Sequence, residues 1–318
     1  MTGSFSFAGF AQLMLFSMVP FVLAAQGTML GGRAGVFNVA QEGIMLASAS
    51  LGFLVAFKTG SVALGFGSAM VLGGLSGLVL SLGSTILGMN QFVIGITLTL
   101  AGLGLSTLMP KLAIGVTLTP PLAPTLTNNP IPFLGKMPVL GEVLFRQNVL
   151  VTFTVLVSIA LWYVLFRTSA GLILRATGEN PMAVDALGLD VFRIRHIAVM
   201  IGGMLIGLAG AYLPLAYTGT FTEGMVKGRG WLSIALAFFG GFEPGRIFWG
   251  GLFFAAVEVL AYRVQIGGSW VPYQFILMLP YLATMGVMAL SSRRSRIPGF
   301  LGKNYDRERR STSSQGQG

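Results

Sequence analysis

Apolar residues run along this chain in long blocks, separated by short polar or glycine-containing breaks. A block of about 20 apolar residues is long enough to cross a bilayer as a helix. The pattern predicts such helices over 7–30, 36–57, 61–82, 92–109, 149–166, 197–217, 247–262 and 270–290. Gly31-Gly32-Arg33-Ala34-Gly35 interrupts the first two, and the second carries its polar residues in its first third. Trp231 to Phe242 is also apolar, but its 12 residues are too few to cross alone. It reads as part of a broken helix or as a re-entrant piece.

Two long segments depart from this pattern. Residues 110–147 hold seven prolines (Pro110, Pro120, Pro121, Pro124, Pro130, Pro132 and Pro138). Proline removes a backbone donor and blocks helix interiors, so this segment reads as an external loop. Its length suggests function or partner contact. Residues 167–196 hold four Arg, one Glu, two Asp and the single His, and read as a second extramembrane loop. Within it, Asn180 reads as an N-cap, Pro181 as the first helical residue and Gly188 as the stop. A helix of about two turns is not stable alone. It is either a docking element or an ordinary connection.

Composition fixes the class. The chain has 318 residues, of which 54% are hydrophobic and only 9% charged; mean hydropathy is +0.79. An ordinary globular protein is about 25% charged. So few charges could not cover a soluble protein with this much apolar surface. The expected fold is all-α: a polytopic membrane bundle of about eight to ten transmembrane helices. It divides into a membrane domain, 1–292, and a basic tail, 293–318, disordered at its end. Glycine occurs 45 times, in keeping with close helix contacts in lipid. Cysteine is absent and histidine occurs once. That leaves no disulfide, no thiolate or histidine metal cluster and no cysteine nucleophile. The start, Met1 to Ser6, carries no basic side chain, so the first segment reads as a retained span rather than a signal peptide.

The net charge of +10 fits juxtamembrane arginines facing anionic lipid better than nucleic acid. With the tail placed inside, thirteen of the 20 Lys+Arg fall on that side, together with 167–196. The positive-inside rule therefore favours a cytoplasmic C-terminus.

Polar residues near the breaks are the candidates for chemistry. Asn38, Gln41 and Glu42 open the second block. A carboxylate in lipid is costly unless it faces water or pairs. At i, i+4 spacing, Asn38 and Glu42 would share one helix face. The patch either lines a pathway or pins a broken helix, or else Glu42 neutralises Arg33 or caps a helix N-terminus. Glu223, Lys227 and Arg229 precede the short apolar piece and read as the rim of a pathway mouth or as interfacial anchors. Glu243 and Arg246 are expected to pair across a Pro244-Gly245 turn. Glu258 is expected to snorkel or pair with Arg263. Gly32-Arg33 and Gly228-Arg229 form a weak internal echo of the kind that repeated transporter halves show. The sequence has no nucleophile elbow, no paired intramembrane aspartates and no phosphate loop. An enzyme is therefore not expected, and neither a cofactor nor a metal is implied.

Four stretches carry a resemblance. They are Gly32-Arg33 through Asn38, Gln41, Glu42 and Gly43; Arg175 through Glu179, Asn180, Pro181 and Gly188; Gly228-Arg229-Gly230 through Phe239-Gly240; and Pro298 through Arg309. Together they resemble ABC importer permeases of the branched-chain amino acid, ribose and nucleoside superfamily. The tail is similar to that of the nucleoside and simple-sugar branch, with Asn304 where that branch usually has proline. The resemblance implies a type II-like permease subunit in a bacterial plasma membrane. Its implied partners are a cytoplasmic ABC ATPase, a second and unlike permease subunit, and an extracytoplasmic substrate-binding protein. It implies coupling to the ATPase through Glu179, Asn180, Pro181, Ala183, Asp185, Ala186 and Gly188, as the counterpart of the EAA loop. It also implies a pathway near Asn38, Gln41, Glu42 and Arg229. The solute is expected to be a nucleoside; a simple sugar or branched-chain amino acid is the alternative. A competing reading is an ion-coupled secondary transporter that uses Glu42 or Glu258.

Overall fold

The computed structural model describes residues 7–115, 119–126, 147–266, 275, 278–279, 281–283, 285–286 and 297–305. The predicted span 270–290, most of the proline-rich loop and the end of the tail lie largely outside them. Among the described residues, ten α-helices follow in chain order: α1 Phe7–Arg33, α2 Gln41–Thr59, α3 Val62–Thr85, α4 Gln91–Ala113, α5 Val149–Arg167, α6 Ser169–Glu179, α7 Pro181–Ala186, α8 Val191–Tyr212, α9 Arg229–Phe239 and α10 Pro244–Ile266. Seven helices among the described residues are long and apolar enough to cross a membrane.

Side-chain caps start most of the helices. Asn90 accepts from the Phe92 and Val93 amides, Asn148 from Val151, Thr168 from Gly171 and Asp190 from Phe192 and Arg193. Each satisfies backbone donors that the first helical turn leaves free. Gly60, at φ +69°, ends α2 in the left-handed conformation, with its amide on the Ala56 carbonyl. At the end of α8, Pro214 cannot donate to the carbonyl a turn earlier. There the helix widens into a π turn over Leu213–Thr218, closed by the Gly219 amide on the Pro214 carbonyl at 3.0 Å.

Helices α1 and α8 form the buried centre, while α3, α4 and α5 expose most of their surface. Small residues bring the backbones together. A Cβ added at Gly73 on α3 would lie 2.2 Å from the Gly203 carbonyl oxygen of α8. One added at Gly27 on α1 would lie 2.3 Å from the Gly202 carbonyl oxygen. The core runs through Met18, Phe21, Met29, Met45, Phe53, Ile206, Tyr212 and Phe254. Tyr212 ties three helices: its hydroxyl donates to the Phe16 carbonyl at 3.1 Å and accepts from Asn148 at 3.2 Å.

Several predicted boundaries move. Residues 34–40 are not helical, so α2 begins at Gln41 rather than near Val36. Asn38 therefore does not share a helix face with Glu42; its side chain closes a local turn by accepting from the Ala40 amide at 2.8 Å. The 167–196 stretch is not simply a loop. It contains α6, and α8 begins at Val191 with Arg193, Arg195 and His196 inside it. Arg195 is fully buried; its Nε donates to the Ala34 carbonyl at 3.1 Å and its guanidinium lies over the Phe300 ring. Helix α4 runs through Pro110 to Ala113, so the proline-rich loop begins later than the prolines imply. Pro244 and Gly245 belong to α10; the turn before them is 240–243.

Candidate functional site

The short apolar piece is a helix, α9, which spans 11 residues and so about 16 Å. It is held at both ends by one stretch of chain. At its N-terminus, Glu42 accepts from the Gly228 amide at 2.9 Å and from the Gly230 amide at 2.9 Å. In the turn that closes its C-terminus, where the Gly241 and Phe242 amides sit on α9 carbonyls, Arg33 donates to the Phe242 carbonyl at 2.8 Å and to the Gly241 carbonyl at 3.3 Å. A helix presents partial positive charge at its first amides and partial negative charge at its last carbonyls. A carboxylate and a guanidinium therefore stand where each is favoured. Glu42 does not neutralise Arg33; the two residues sit at opposite ends of α9.

Two glycines make this approach possible. Gly228 has φ +77°, which a side chain would strain. At Gly230, an added Cβ would lie 2.6 Å from the Glu42 amide nitrogen.

Arg229, the first residue of α9, is buried. Its guanidinium pairs with Glu258 of α10 at 2.6 Å, with side-chain exposures of 9% and 12%. The partner of Glu258 is thus Arg229 rather than Arg263. The Arg263 guanidinium lies over the Phe10 ring at 5.5 Å. Glu223 pairs instead with Lys111 at 2.9 Å. Glu243 and Arg246 pair as expected, also at 2.9 Å.

Asn38, Gln41, Glu42 and Arg229 are all buried within the subunit. Gln41 donates to the Thr28 hydroxyl of α1. Its carbonyl oxygen and that of Gln26 are buried without a partner among the described residues. The four predicted pathway residues thus surround the start of α2 and the start of α9.

The second candidate area is the face of the bundle that carries α6, α7 and the tail. Asn180 accepts from the Ala183 amide at 3.2 Å and Pro181 occupies the first turn of α7. Gly188 follows at φ +77°. The predicted cap, start and stop are all present, on a helix of six residues. Pro181 and Val184 face inward, Val184 with Val191 and Tyr305. Met182, Ala183, Ala186, Leu187 and Gly188 face outward, Leu187 at 79% exposure. Asp185 accepts from the Tyr305 hydroxyl at 3.0 Å, and exposed Glu179 accepts from the Gly299 amide at 3.0 Å. Nothing in the local sequence around Asp185 announces its partner, which lies 120 residues away.

No group of three His, Cys, Asp or Glu side chains that could hold a metal occurs among the described residues. The two areas are a short helix held at both ends within the bundle and a small exposed helix on the face that carries α6 and the tail.

The whole-chain comparisons fit this arrangement. Residues 10–286 match the model of the branched-chain amino acid transport system / permease component family. The guanosine ABC transporter permease NupQ of Bacillus subtilis is 32% identical, over 89% of this chain and 89% of its own length. The nucleoside ABC transporter permease NupC of Lactococcus lactis is 30% identical, over 93% and 95%. TsgC13 of Haloferax volcanii, whose name assigns it provisionally to glucose ABC transport, is 33% identical over 90% and 94%. No solved structure matches the chain significantly. This polytopic helical chain, matched along nearly its whole length, belongs to the ABC transporter permease family of the branched-chain amino acid type.

Proposed function

We propose that this permease subunit moves nucleosides inward by alternating access, with a simple sugar as the second solute class. The observation that carries the reading is the near full-length likeness to two permeases named for nucleosides. The chain has no phosphate loop, so ATP hydrolysis belongs to a separate cytoplasmic ATPase. A second, unlike permease subunit completes the pathway, and an extracytoplasmic binding protein delivers the solute. The face that bears α7 and the tail is cytoplasmic, in a bacterial plasma membrane.

In this reading α7 is the coupling helix. Its outward side chains are small or apolar, and Gly188 lets the chain turn away at once. Movement of α7 reaches the bundle through α8, and the braced α9 with the start of α2 forms the part of the pathway that switches. An ion-coupled mechanism is less favoured, because Glu42 is held by two amides and Glu258 by Arg229.

The test is uptake by the purified complex in proteoliposomes. Guanosine uptake should need ATP and survive a protonophore. Uptake driven by a proton gradient without ATP would refute the reading. Gly188→Pro should abolish ATPase co-purification while the subunit still inserts, because proline cannot adopt the positive φ at this position. Unchanged co-purification would remove α7 from its role.

A further inference from the structure

The described part of the tail, 297–305, does not hang free. It crosses the face that carries α7 and is fastened along its length. The Phe300 amide donates to the Gly178 carbonyl at 2.9 Å, and the Gly302 amide to the Gly35 carbonyl at 3.1 Å. The Phe300 ring lies under the Arg195 guanidinium at 5.7 Å. Asn304 then donates to the Gly88 and Met89 carbonyls at 2.6 and 3.0 Å, in the turn between α3 and α4. Its side-chain oxygen accepts from Gln91 at 3.3 Å. Gln91 in turn accepts from the Phe37 amide at 2.7 Å. Tyr305 closes the run on Asp185 of α7, with its ring among Val184 and Val191.

This path has two ends of interest. One is α7. The other is the 34–42 segment, reached directly at Gly35 and through Gln91 at Phe37. That segment carries Glu42 and therefore the N-terminus of α9. Proline at 304 could not form any of the three side-chain bonds that Asn304 makes.

We propose that Pro298–Tyr305 is a strap that makes α7 and the 34–42 segment move as one body, with Asn304 and Tyr305 as its positioning residues. The proposal rests on α7 being the coupling helix. Neither residue touches solute or nucleotide; both act through what they hold in place. A displacement of α7 is passed across the strap to Gln91 and Phe37, and from there to the brace on α9. Besides the strap, α7 reaches α9 through α6, whose Gly178 packs against the Arg33 carbonyl, and through the length of α8.

The experiment uses the full transporter with ATPase and binding protein, comparing wild type with Asn304→Ala, Tyr305→Phe and the double variant. Tyr305→Phe removes a single hydroxyl, so folding is not at stake. Three quantities are read: ATPase co-purification, ATP hydrolysis and guanosine taken up per ATP. The double variant removes four side-chain hydrogen bonds and should keep assembly and hydrolysis, while uptake per ATP falls about thirtyfold, the factor expected at the lower limit of the net contribution per bond. Trypsin cleavage after Lys303, followed by mass spectrometry, should be slow in the wild type and faster in the double variant. Uptake per ATP equal to wild type would overturn the strap. So would loss of assembly together with hydrolysis, which would make it a scaffold only. A wild type already cut as fast as the variant would show that no strap is docked. A wild-type subunit that never retains the ATPase would instead refute the coupling-helix reading beneath it.

Discussion

Glu42→Gln gives the sharpest test of the brace on α9. The carboxylate accepts from two amides, Gly228 and Gly230, both at 2.9 Å. Glutamine has the same length but a single acceptor oxygen. One amide therefore loses its partner and faces an NH2 group instead. A hydrogen bond to a charged acceptor contributes about 1.5–3 kcal/mol. Loss of the negative charge at a helix N-terminus costs about 0.3–1 kcal/mol more. Near the lower limit the total is about 2 kcal/mol, a shift of roughly thirtyfold in the opening equilibrium. Hydrogen exchange in nanodiscs reads this directly. A peptide over 221–233 should exchange roughly thirtyfold faster in the variant. A peptide over 198–210, in α8, should be unchanged. Solute uptake should fall while the ATPase still co-purifies, because α7 is untouched. Protection of Gly228 and Gly230 at the wild-type level would refute the reasoning.

Two further substitutions test the packing around that brace. Gly73→Leu should drive α3 away from α8, since even a Cβ there lies 2.2 Å from a carbonyl oxygen; the melting temperature in detergent should fall clearly, and an unchanged value would refute the contact. Arg229→Met should destabilise by about 3–5 kcal/mol by leaving Glu258 uncompensated. The double variant Arg229→Met/Glu258→Met should recover most of that loss, and strictly additive effects in the cycle would show that the pair is not coupled.

Membrane class, the small capped helix and the existence of a break on either side of α9 were legible in the sequence. Each follows from local rules: apolar length, the Asn180-Pro181 start, and glycines around isolated arginines. The bonds that give the breaks their purpose were not legible. Glu42 finds partners 186 and 188 residues away, and Arg33 finds one 209 residues away. No periodicity relates such positions. The echo of Gly32-Arg33 in Gly228-Arg229 pointed to both breaks, yet the two arginines do different work: Arg33 serves carbonyls at the end of α9 and Arg229 pairs with a carboxylate at its start. Helix α6 and the early start of α8 were hidden for another reason. Their charges read as loop, whereas buried contacts such as Arg195 on Ala34 carry charge into a helix. Asn304 looked like a simple departure from a motif; its three bonds appear only once the tail is folded back.

The double hold on α9 also bears on how this chain can be recombined. Residues 33–42 and 228–242 are far apart in sequence, but they form one interlocking part. A chimera with a relative that joins anywhere between Gly43 and Met225 takes the two pieces from different parents. Such a hybrid inherits the half-helix from one protein and its end-holders from another. Exchanging this region between relatives therefore calls for moving both pieces together, as a non-contiguous unit, rather than either half of the chain.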